Sequence, residues 1–334
     1  MNRTEPEQTK LTICVWHPFS EWRPPASLAE AIGKRWPAMR VVHLPDYDHL
    51  PRELPDTDIF VGYSLRAGQL ARAGRLKWIH STATGVAQLV YPELRDSGII
   101  VTNPRGLFSV PMAEHALGLL IALARNFPDS VRYQDRAHWS QQDLWDHHPL
   151  TELSGKLLLI VGFGSIGQEL ARRAKAFDIR VWGVSRSGRG DTPFAEKIVP
   201  VARLREVLPM ADYIVISAPE TSETRHLFGS QELSLLKPSA CLINVSRGSL
   251  LDQSALITAL QQNKLAGAGL DVTDPEPPPA DDPLWGTPNL FLTPHTSAIS
   301  DRLWPRQTAL LLDLLECWFG GRELINQVDL RRGY

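Results

Sequence analysis

The sequence predicts an α/β fold built on mostly parallel sheets that helices cover on both faces. Three observations support this. Short apolar runs alternate with longer amphipathic ones, this alternation occurs in two sets, and a glycine-rich turn joins a strand to a helix at the start of the second set. A chain of 334 residues is long enough for two domains, each with its own core.

The first set of elements runs from Leu11 to Thr102 and the second from Leu157 to Thr293. The first is predicted to contain strand Leu11–Val15, helix Leu28–Arg35, strand Arg40–Leu44, strand Ile59–Gly62, helix Ala67–Ala73, strand Trp78–Ser81 and strand Ile99–Thr102. The second is predicted to contain strand Leu157–Val161, helix Ile166–Phe177, strand Arg180–Val184, helix Leu204–Met210, strand Tyr213–Ser217, strand Cys241–Val245, helix Ser254–Gln262, strand Gly267–Asp271 and strand Leu290–Thr293, before a closing helix Ser300–Phe319.

The segment between the two sets has a different character. Met112–Asn126 is apolar nearly all round, which predicts a buried helix, with Pro111 and Glu114 suited to its first turn. Residues 128–150 have little periodicity, so they are expected either as an extended arm that packs on a partner subunit or as a surface loop.

Composition and charge exclude several classes of protein. Thirty-five Lys+Arg against 37 Asp+Glu leave a formal charge of -2, which gives no support to nucleic-acid or membrane-surface binding. No apolar run is long enough to span a membrane, and the polar start lacks a signal core. The first ten residues are expected as a frayed extension. Cys14, Cys241 and Cys317 lie far apart, which favours free thiols in a reducing, cytoplasmic compartment.

The glycine loop, Gly162–Gly167, follows an apolar strand and opens a helix, which is the context that dinucleotide binding requires. Gly162 permits the tight turn, Gly164 lets a pyrophosphate approach the backbone, and Gly167 allows close packing of helix on strand. The phosphates would lie at the helix N-terminus, where free N–H groups favour an anion. The alternative is a tight turn that binds nothing.

The next strand end bears on the choice between the two nicotinamide dinucleotides. NAD sites usually place Asp or Glu there, but this chain has Ser185, Arg186 and Ser187, followed by Arg189. Arginine and hydroxyl groups suit a 2′-phosphate, so NADP(H) is favoured and NAD(H) stays possible. A solvated basic loop is the alternative interpretation.

Three residues carry the chemistry that hydride transfer to a keto acid needs. Arg247 and His295 each follow a predicted strand, and Glu276 lies in a proline-rich segment. A guanidinium can hold a substrate carboxylate and polarise the carbonyl, an imidazolium can donate a proton, and a carboxylate stabilises the imidazolium. Taken singly, each has an ordinary explanation as a surface ion-pair partner, a loop residue or an exposed side chain, and Asp274 rivals Glu276.

Five segments resemble the D-isomer-specific 2-hydroxyacid dehydrogenase family. They are GFGSIG at 162–167, SAPETSETRHLF at 217–228, INVSRGSLLD at 243–252, GLDVTDPEP at 269–277 and LTPHTSA at 292–298. The resemblance implies that Arg247, Glu276 and His295 are catalytic and that Asp271 holds the nicotinamide amide. It also implies further cofactor contacts from a set of residues that line the dinucleotide site: Ser165, Ile166, Ala218, Pro219, Val245, His295 and Ala298.

The resemblance also implies a domain organisation. Residues 1–103 and 297–334 would form a discontinuous substrate domain and residues 104–296 a dinucleotide-binding domain, both Rossmann-like, with the active-site cleft between them. The apolar helix would be the dimer-forming helix of a homodimer. The loop after the fourth strand resembles one whose N–H groups bind the substrate carboxylate, so Ala83, Thr84 and Gly85 are the candidates, although an ordinary turn is the alternative. Ala87 replaces an Asp that the family often has.

The sequence therefore predicts an NADP-preferring reductase of small 2-oxo acids, most like glyoxylate and hydroxypyruvate reductases. Two other hypotheses stay open: a dinucleotide-sensing, corepressor-like binding protein, and a formate- or phosphite-type dehydrogenase on the same scaffold. No metal site is predicted.

Overall fold

The computed structural model describes residues 5–147, 150–190 and 192–333. The chain divides into two compact units, Met1–Leu107 with Ile299–Tyr334, and Phe108–Ala298. Each unit is an α/β layer structure around its own parallel sheet, so the predicted fold class is confirmed. The predicted domain boundaries, at 103/104 and 296/297, stay predictions.

Twelve strands form in the described part of the chain. In chain order they are β1 (Lys10–Cys14), β2 (Arg40–Leu44), β3 (Ile59–Gly62), β4 (Trp78–Ser81), β5 (Ile100–Thr102), β6 (Leu157–Val161), β7 (Arg180–Ser185), β8 (Lys197–Pro200), β9 (Tyr213–Ile216), β10 (Cys241–Asn244), β11 (Gly267–Leu270) and β12 (Leu290–Leu292).

Twelve α-helices accompany them in the same described residues. They are α1 (Ala26–Arg35), α2 (Leu50–Glu53), α3 (Ala67–Leu70), α4 (Pro92–Arg95), α5 (Ser109–Ala124), α6 (Phe127–Asp135), α7 (Gln141–His147), α8 (Ser165–Ala174), α9 (Leu204–Val207), α10 (Ser230–Ser234), α11 (Gln253–Gln261) and α12 (Leu303–Phe319). No helix in the described ranges has both the length and the apolar character needed to cross a membrane.

The sheet of the first unit has the order β2-β1-β3-β4-β5, and all its strands are parallel. Cys14, Gly62 and Ser81 lie in register on three neighbouring strands. The chain segments that follow these residues therefore leave the sheet at one edge, its carboxyl edge. The loop 82–86, which follows β4, is one of them.

The sheet of the second unit has seven parallel strands in the order β12-β11-β10-β9-β6-β7-β8. The strand order reverses beside β6, because β7 and β8 lie on one side of it and β9 to β12 on the other. Ligands of open α/β sheets bind at such a reversal, outside the carboxyl ends of the strands. The glycine loop follows β6 and therefore lies at this point.

Alternation along the strands explains why this sheet is covered on both faces. Leu157, Leu159 and Val161 of β6 enter one apolar cluster, whereas Leu158 and Ile160 enter the other. Successive side chains of a strand point to opposite faces, so an uninterrupted apolar run buries both. Helix α5 covers the second cluster through side chains such as Ala116 and Leu120.

The structure corrects three expectations about individual segments. Residues 128–150, expected as an extended arm or loop, contain most of α6 and all of α7 as far as they are described. Strand β8 was not predicted. Of the first ten residues, expected as a frayed extension, residues 1–4 lie outside the described ranges. Thr9 and Lys10 are buried, and the Lys10 ammonium lies 2.7 Å from the Glu53 carboxylate, so this end of the segment is not frayed.

Candidate active site

The glycine loop is shaped by contacts that leave no room for a side chain at two of its three glycines. Gly162 has a φ of +100°, and a Cβ there would lie 2.3 Å from the Ala218 nitrogen. A Cβ at Gly167 would lie 2.8 Å from the Gly162 carbonyl oxygen. A Cβ at Gly164, by contrast, would meet no atom within 4 Å. The fold itself therefore requires glycine at 162 and 167, whereas only something bound on the backbone would require it at 164.

Helix α8 begins at Ser165, within this loop. The Gly164 N–H donates to the Gly162 carbonyl at 2.9 Å, and the Gln168 N–H donates to the Gly164 carbonyl at 2.9 Å. Ser165 is exposed and Ile166 is half-buried. The first N–H groups of a helix have no partner inside it, and its dipole favours a negative charge at this end. The loop and helix therefore fit the phosphates of a dinucleotide.

Two further segments face the glycine loop from neighbouring strands. Ser217, which follows β9, donates its hydroxyl to the Gly162 carbonyl at 2.9 Å, a contact that the sequence analysis missed. Ala218 and Val245 are buried, while Pro219 is exposed. Ala218 also accepts a hydrogen bond from the Ser246 hydroxyl. The strand ends of β6, β9 and β10 are thus linked around the loop.

The loop after β7 turns back on itself. The Ser185 hydroxyl donates to the Arg189 carbonyl at 3.3 Å, and the Ser187 hydroxyl accepts from the Arg189 N–H at 3.3 Å. Arg186, Ser187 and Arg189 are exposed. Gly188 has a φ of +68°, and a Cβ there would lie 2.6 Å from the Pro200 ring. The turn therefore packs closely on β8 and presents basic side chains at the surface.

Arg247 lies in a turn directly after β10. Asn244, which is fully buried, holds this turn by donating to the Arg247 carbonyl at 2.8 Å and accepting from the Ser246 N–H at 3.0 Å. The Arg247 guanidinium donates to the Ser246 carbonyl at 2.7 Å. It forms no ion pair with a carboxylate of the described residues, so its charge is available to a ligand.

Glu276 lies in the loop after β11, and two contacts fix that loop against the Arg247 turn. A Cβ at Gly248 would lie 2.0 Å from the Thr273 carbonyl carbon, so the two backbones touch there. The Gln253 side-chain amide accepts from the Asp274 N–H at 2.8 Å and donates to the Asp274 carbonyl at 2.7 Å. The Asp274 carboxylate lies 3.4 Å from the Arg225 guanidinium.

His295 lies in the loop Thr293–Ser297, which follows β12 and is called the catalytic loop here after the role expected of His295. Its Nδ1 is hydrogen-bonded to the Glu276 carboxylate, so the structure pairs the imidazole with Glu276 rather than with its rival Asp274. Its Nε2 has no hydrogen-bond partner among the described residues, and the side chain is 36% exposed. The backbone has a φ of +52°, an uncommon conformation for a residue other than glycine.

Asp271 directly follows β11 and is buried. Its carboxylate accepts from the Thr293 hydroxyl at 2.6 Å, the Thr296 N–H at 2.9 Å and the Ser297 N–H at 3.0 Å. His115 of α5 approaches from outside, with Nε2 2.9 Å from the Thr293 hydroxyl oxygen. Ala298, the last residue of this unit, is buried.

The structure thus brings Glu276 and His295 into direct contact and attaches the Arg247 turn to the Glu276 loop. Arg247 itself is hydrogen-bonded to neither Glu276 nor His295 in the described part of the chain. A carboxylate on one imidazole nitrogen and an open second nitrogen are what general acid–base catalysis needs. No group of three or more His, Cys, Asp or Glu side chains within residues 5–147, 150–190 and 192–333 is placed to hold a metal ion.

The loop 82–86 of the first unit offers unpaired backbone donors. Gln307 donates to the Thr82 carbonyl at 2.8 Å and Asn103 to the Thr84 carbonyl at 2.7 Å, which fixes the loop. The Ala83 N–H is already bonded to the Ser81 hydroxyl at 3.2 Å. The N–H groups of Thr84 and Gly85 have no partner among the described residues, and successive free N–H groups can bind an anion.

Three buried titratable groups of the two sheets are held uncharged. His80 of β4 donates to or accepts from the Thr102 hydroxyl at 2.9 Å, and burial lowers the pKa of His80 to about 4. Burial likewise raises the pKa of Cys14 and of Cys241 to about 12. None of these three groups is therefore ionised near neutral pH, and neither thiol is suited to act as a nucleophile.

Sequence reasoning missed the residues that support the candidate catalytic ones. Asn244, Gln253 and His115 are in this group, and each acts through a side-chain contact with a loop. Gln253 opens a helix and His115 lies inside an apolar one, so local pattern gave neither a role. Their positions next to INVSRGSLLD and within Met112–His115 were the only available signal.

Comparison with known proteins gives a consistent result. The family model "D-isomer specific 2-hydroxyacid dehydrogenase, NAD binding domain" matches residues 117–297. Glyoxylate reductase of Korarchaeum cryptofilum is 35% identical over 263 residues, which are 76% of this chain and 77% of that protein. D-3-phosphoglycerate dehydrogenase of Methanocaldococcus jannaschii is 32% identical over 257 residues, 76% of this chain, but the match spans only 48% of that protein's length.

A solved structure extends the likeness to nearly the whole chain. The D-isomer specific 2-hydroxyacid dehydrogenase family protein of Aeromonas salmonicida superposes with a TM-score of 0.83 at 33% identity. The superposition covers 97% of this chain and 99% of that one.

Proposed function

The chain belongs to the D-isomer specific 2-hydroxyacid dehydrogenase family, and on this premise we propose that it is an NADP-preferring reductase of small 2-oxo acids of the glyoxylate or hydroxypyruvate type. The family is one of oxidoreductases that act on the CH–OH group of 2-hydroxy acids with a nicotinamide dinucleotide. The contact between His295 and Glu276 carries the proposal for this chain.

Each catalytic residue has one task in the proposed mechanism. The nicotinamide, when bound, supplies the hydride that reaches the carbonyl carbon. His295 donates a proton from Nε2 to the carbonyl oxygen, while Glu276 stabilises the imidazolium through Nδ1. Arg247 binds the substrate carboxylate and draws negative charge onto the oxygen. In the oxidative direction His295 accepts the same proton.

The dinucleotide would be held by the glycine loop and the residues that face it. The free space at Gly164 and the open N-terminus of α8 support a pyrophosphate at this place. Ala218, Pro219 and Val245 are proposed to line the site. Ser165 and Ile166, in the first turn of α8, are proposed to contact the phosphates. Asp271 is proposed to hold the nicotinamide amide.

The preference for NADP(H) rests on the turn after β7. Ser185, Arg186 and Ser187 are proposed to contact the 2′-phosphate, and no carboxylate follows this strand before Gly190 to repel it. Arginine binds phosphate through charge-assisted hydrogen bonds. NAD(H) stays possible, because a ribose hydroxyl can also bond to serine.

The substrate carboxylate has a second proposed partner in the loop 82–86. Thr84 and Gly85 offer N–H groups for it, whereas the Ala83 N–H would first have to release Ser81. Of the three residues expected from the sequence, Thr84 and Gly85 are therefore the better supported.

We also propose that the protein is a homodimer and that α6 and α7 contribute to the contact. Phe127, Val131 and Trp145 are half exposed, and Trp139 is 93% exposed. Exposed large apolar side chains, aromatic ones above all, are typical of protein interfaces. Light scattering coupled to size exclusion tests this, with Trp139→Ser and Val131→Ser together expected to shift the protein to monomer. A wild-type monomer would exclude the proposal. A cytoplasmic location stays a prediction.

A steady-state screen tests the proposed activity. Glyoxylate, hydroxypyruvate and pyruvate are each assayed with NADPH and with NADH, and formate and phosphite with NADP⁺ and NAD⁺. We expect turnover of at least one 2-oxo acid and a higher kcat/KM with NADPH. Dinucleotide binding without turnover would instead support a sensing protein, and activity confined to formate or phosphite would support the other dehydrogenase type.

A further inference from the structure

We propose that His115 and Thr293 are positioning residues that fix the catalytic loop, and with it His295, through the buried Asp271 carboxylate. The inference rests on the proposed function, because it assigns residues that act through the proposed acid His295. It concerns contacts within the second unit only.

The Asp271 carboxylate is the anchor of the catalytic loop. Its two oxygens accept from the Thr293 hydroxyl and from the N–H groups of Thr296 and Ser297. The Asp271 backbone carbonyl also accepts from the His295 N–H at 2.9 Å. One buried residue therefore bonds to the loop on both sides of His295.

This anchoring opposes a local cost at His295. A residue other than glycine in the left-handed region carries backbone strain, and His295 has a φ of +52°. Hydrogen bonds to a carboxylate are stronger than those between neutral groups, and Asp271 accepts three of them from the loop. These bonds oppose the strain at His295, and the loss of one of them would weaken the hold on the loop.

The hydrogen positions in the network follow from the chemistry of its members. An ionised carboxylate only accepts, so the single hydroxyl hydrogen of Thr293 points to Asp271. The Thr293 oxygen must then accept from His115, so that His115 carries a hydrogen on Nε2. His115 donates to Thr293, and Thr293 donates to Asp271. This chain of donors attaches helix α5 to the catalytic loop.

The proposed role of Asp271 toward the nicotinamide does not compete with this one. The Asp271 oxygen bonded to Ser297 accepts only that one hydrogen bond among the described residues, so it keeps capacity for a ligand amide. A variant of Asp271 would disturb both roles. Variants of Thr293 and His115 test the positioning role alone, because neither residue is proposed to touch the cofactor.

The test compares isosteric and conservative variants at both positions. Thr293→Val removes the hydroxyl and keeps the shape, Thr293→Ser restores the hydroxyl, His115→Leu removes the donor, and His115→Gln restores a side-chain N–H. Each variant is assayed with NADPH and whichever of glyoxylate, hydroxypyruvate and pyruvate the wild type turns over fastest. Binding of NADPH is measured separately by fluorescence.

We expect Thr293→Val to lower kcat about tenfold or more, because small displacements of a reacting group cost up to about a hundredfold in rate. The KM of the oxo acid and the Kd of NADPH should each change less than about threefold, since the groups that bind them are untouched. Thr293→Ser should recover most of the lost kcat. His115→Leu should lower kcat less than Thr293→Val, and His115→Gln should recover part of the loss.

Two results would overturn the inference. One is wild-type kcat in both Thr293→Val and His115→Leu while His295→Ala is inactive, which leaves the proposed function intact. The other is a rise in KM or Kd with unchanged kcat, which would assign a binding role. Wild-type turnover in His295→Ala itself would instead refute the proposed function. If Thr293→Val does not fold, the kcat values of His115→Leu and His115→Gln test the inference in its place.

Discussion

The glycine loop and the catalytic loop both follow a parallel strand of the same sheet, but they are held in different ways. The glycine loop is shaped mainly by missing side chains, at Gly162 and Gly167, within six residues of one another. The catalytic loop is held by Asp271, 22 residues before Thr293, and by His115, 178 residues before it. The first therefore forms a short motif, whereas the second depends on the folded unit.

The largest effect is expected from adding a methyl group to the glycine loop, which tests whether missing side chains shape it. Gly162→Ala would force a Cβ against Ala218 at a φ of +100°. We expect it to lower the free energy of unfolding by about 3 kcal/mol or more, since strain and overpacking add. Urea unfolding followed by circular dichroism measures the change.

Gly164→Ala is the matched control, because its Cβ would meet no protein atom within 4 Å. It should change the unfolding free energy by less than about 1 kcal/mol and yet weaken NADPH binding. Equal destabilisation by the two variants would contradict the steric account of the loop. Unchanged NADPH binding in Gly164→Ala would remove the proposed phosphate contact.

The proposed role of the catalytic loop is tested by removing the imidazole of His295. His295→Ala should lower turnover by about a hundredfold or more, the usual contribution of a general acid. Steady-state kinetics with the best 2-oxo acid and NADPH measure it. His49→Ala, which removes an exposed imidazole paired with Asp46 in the first unit, should leave turnover unchanged. Retained turnover in His295→Ala would refute the assignment.

The loop that carries Glu276 is also held by a side chain from elsewhere in the unit, that of Gln253. Gln253→Leu removes both bonds to the Asp274 backbone, so Glu276 should be less firmly placed against His295. We expect kcat to fall about fivefold, within the range seen when supporting groups misplace a reacting one. Gln261→Leu, at the exposed end of the same helix, is the control. An equal effect of both substitutions would show that Gln253 acts only through the helix.

The last prediction concerns the choice of dinucleotide, and its readout is binding rather than turnover. Arg186→Ala should weaken NADPH binding by roughly tenfold, the order of one charge-assisted contact. NADH binding should change less than about twofold, because NADH lacks the phosphate. Fluorescence titration with both dinucleotides provides its own control. Equal weakening of both would argue against a phosphate contact at Arg186.

How far the sequence predicts the molecule depends on the range of the contacts involved. The strands of both sheets were predicted to within one or two residues where they are buried runs, as in Leu157–Val161. Strand β8 was missed because Lys197–Pro200 is short, lies at the sheet edge and ends in proline. Helices α6 and α7 were missed because neither repeats apolar residues at a helical spacing over enough turns.

The same distinction between short-range motifs and long-range contacts applies to the candidate site. Gly162, Glu276 and His295 belong to short motifs, so sequence reasoning could name them together. Spacing alone could not decide between Glu276 and Asp274. In the structure Glu276 contacts His295, whereas Asp274 is paired with Arg225. His115 was not predicted because it lies 178 residues before Thr293 in the sequence. Only folding brings the two side chains into contact.

The backbone amide of His295 provides an internal reporter on the loop. Its hydrogen is shared between the carbonyls of Asp271 and Thr293, at 2.9 and 3.0 Å. It exchanges with solvent when both of these hydrogen bonds open, so its exchange rate measures the free energy of that opening without any substrate or turnover. The same conformation that directs the imidazole thus makes the order of the active site observable in the resting protein.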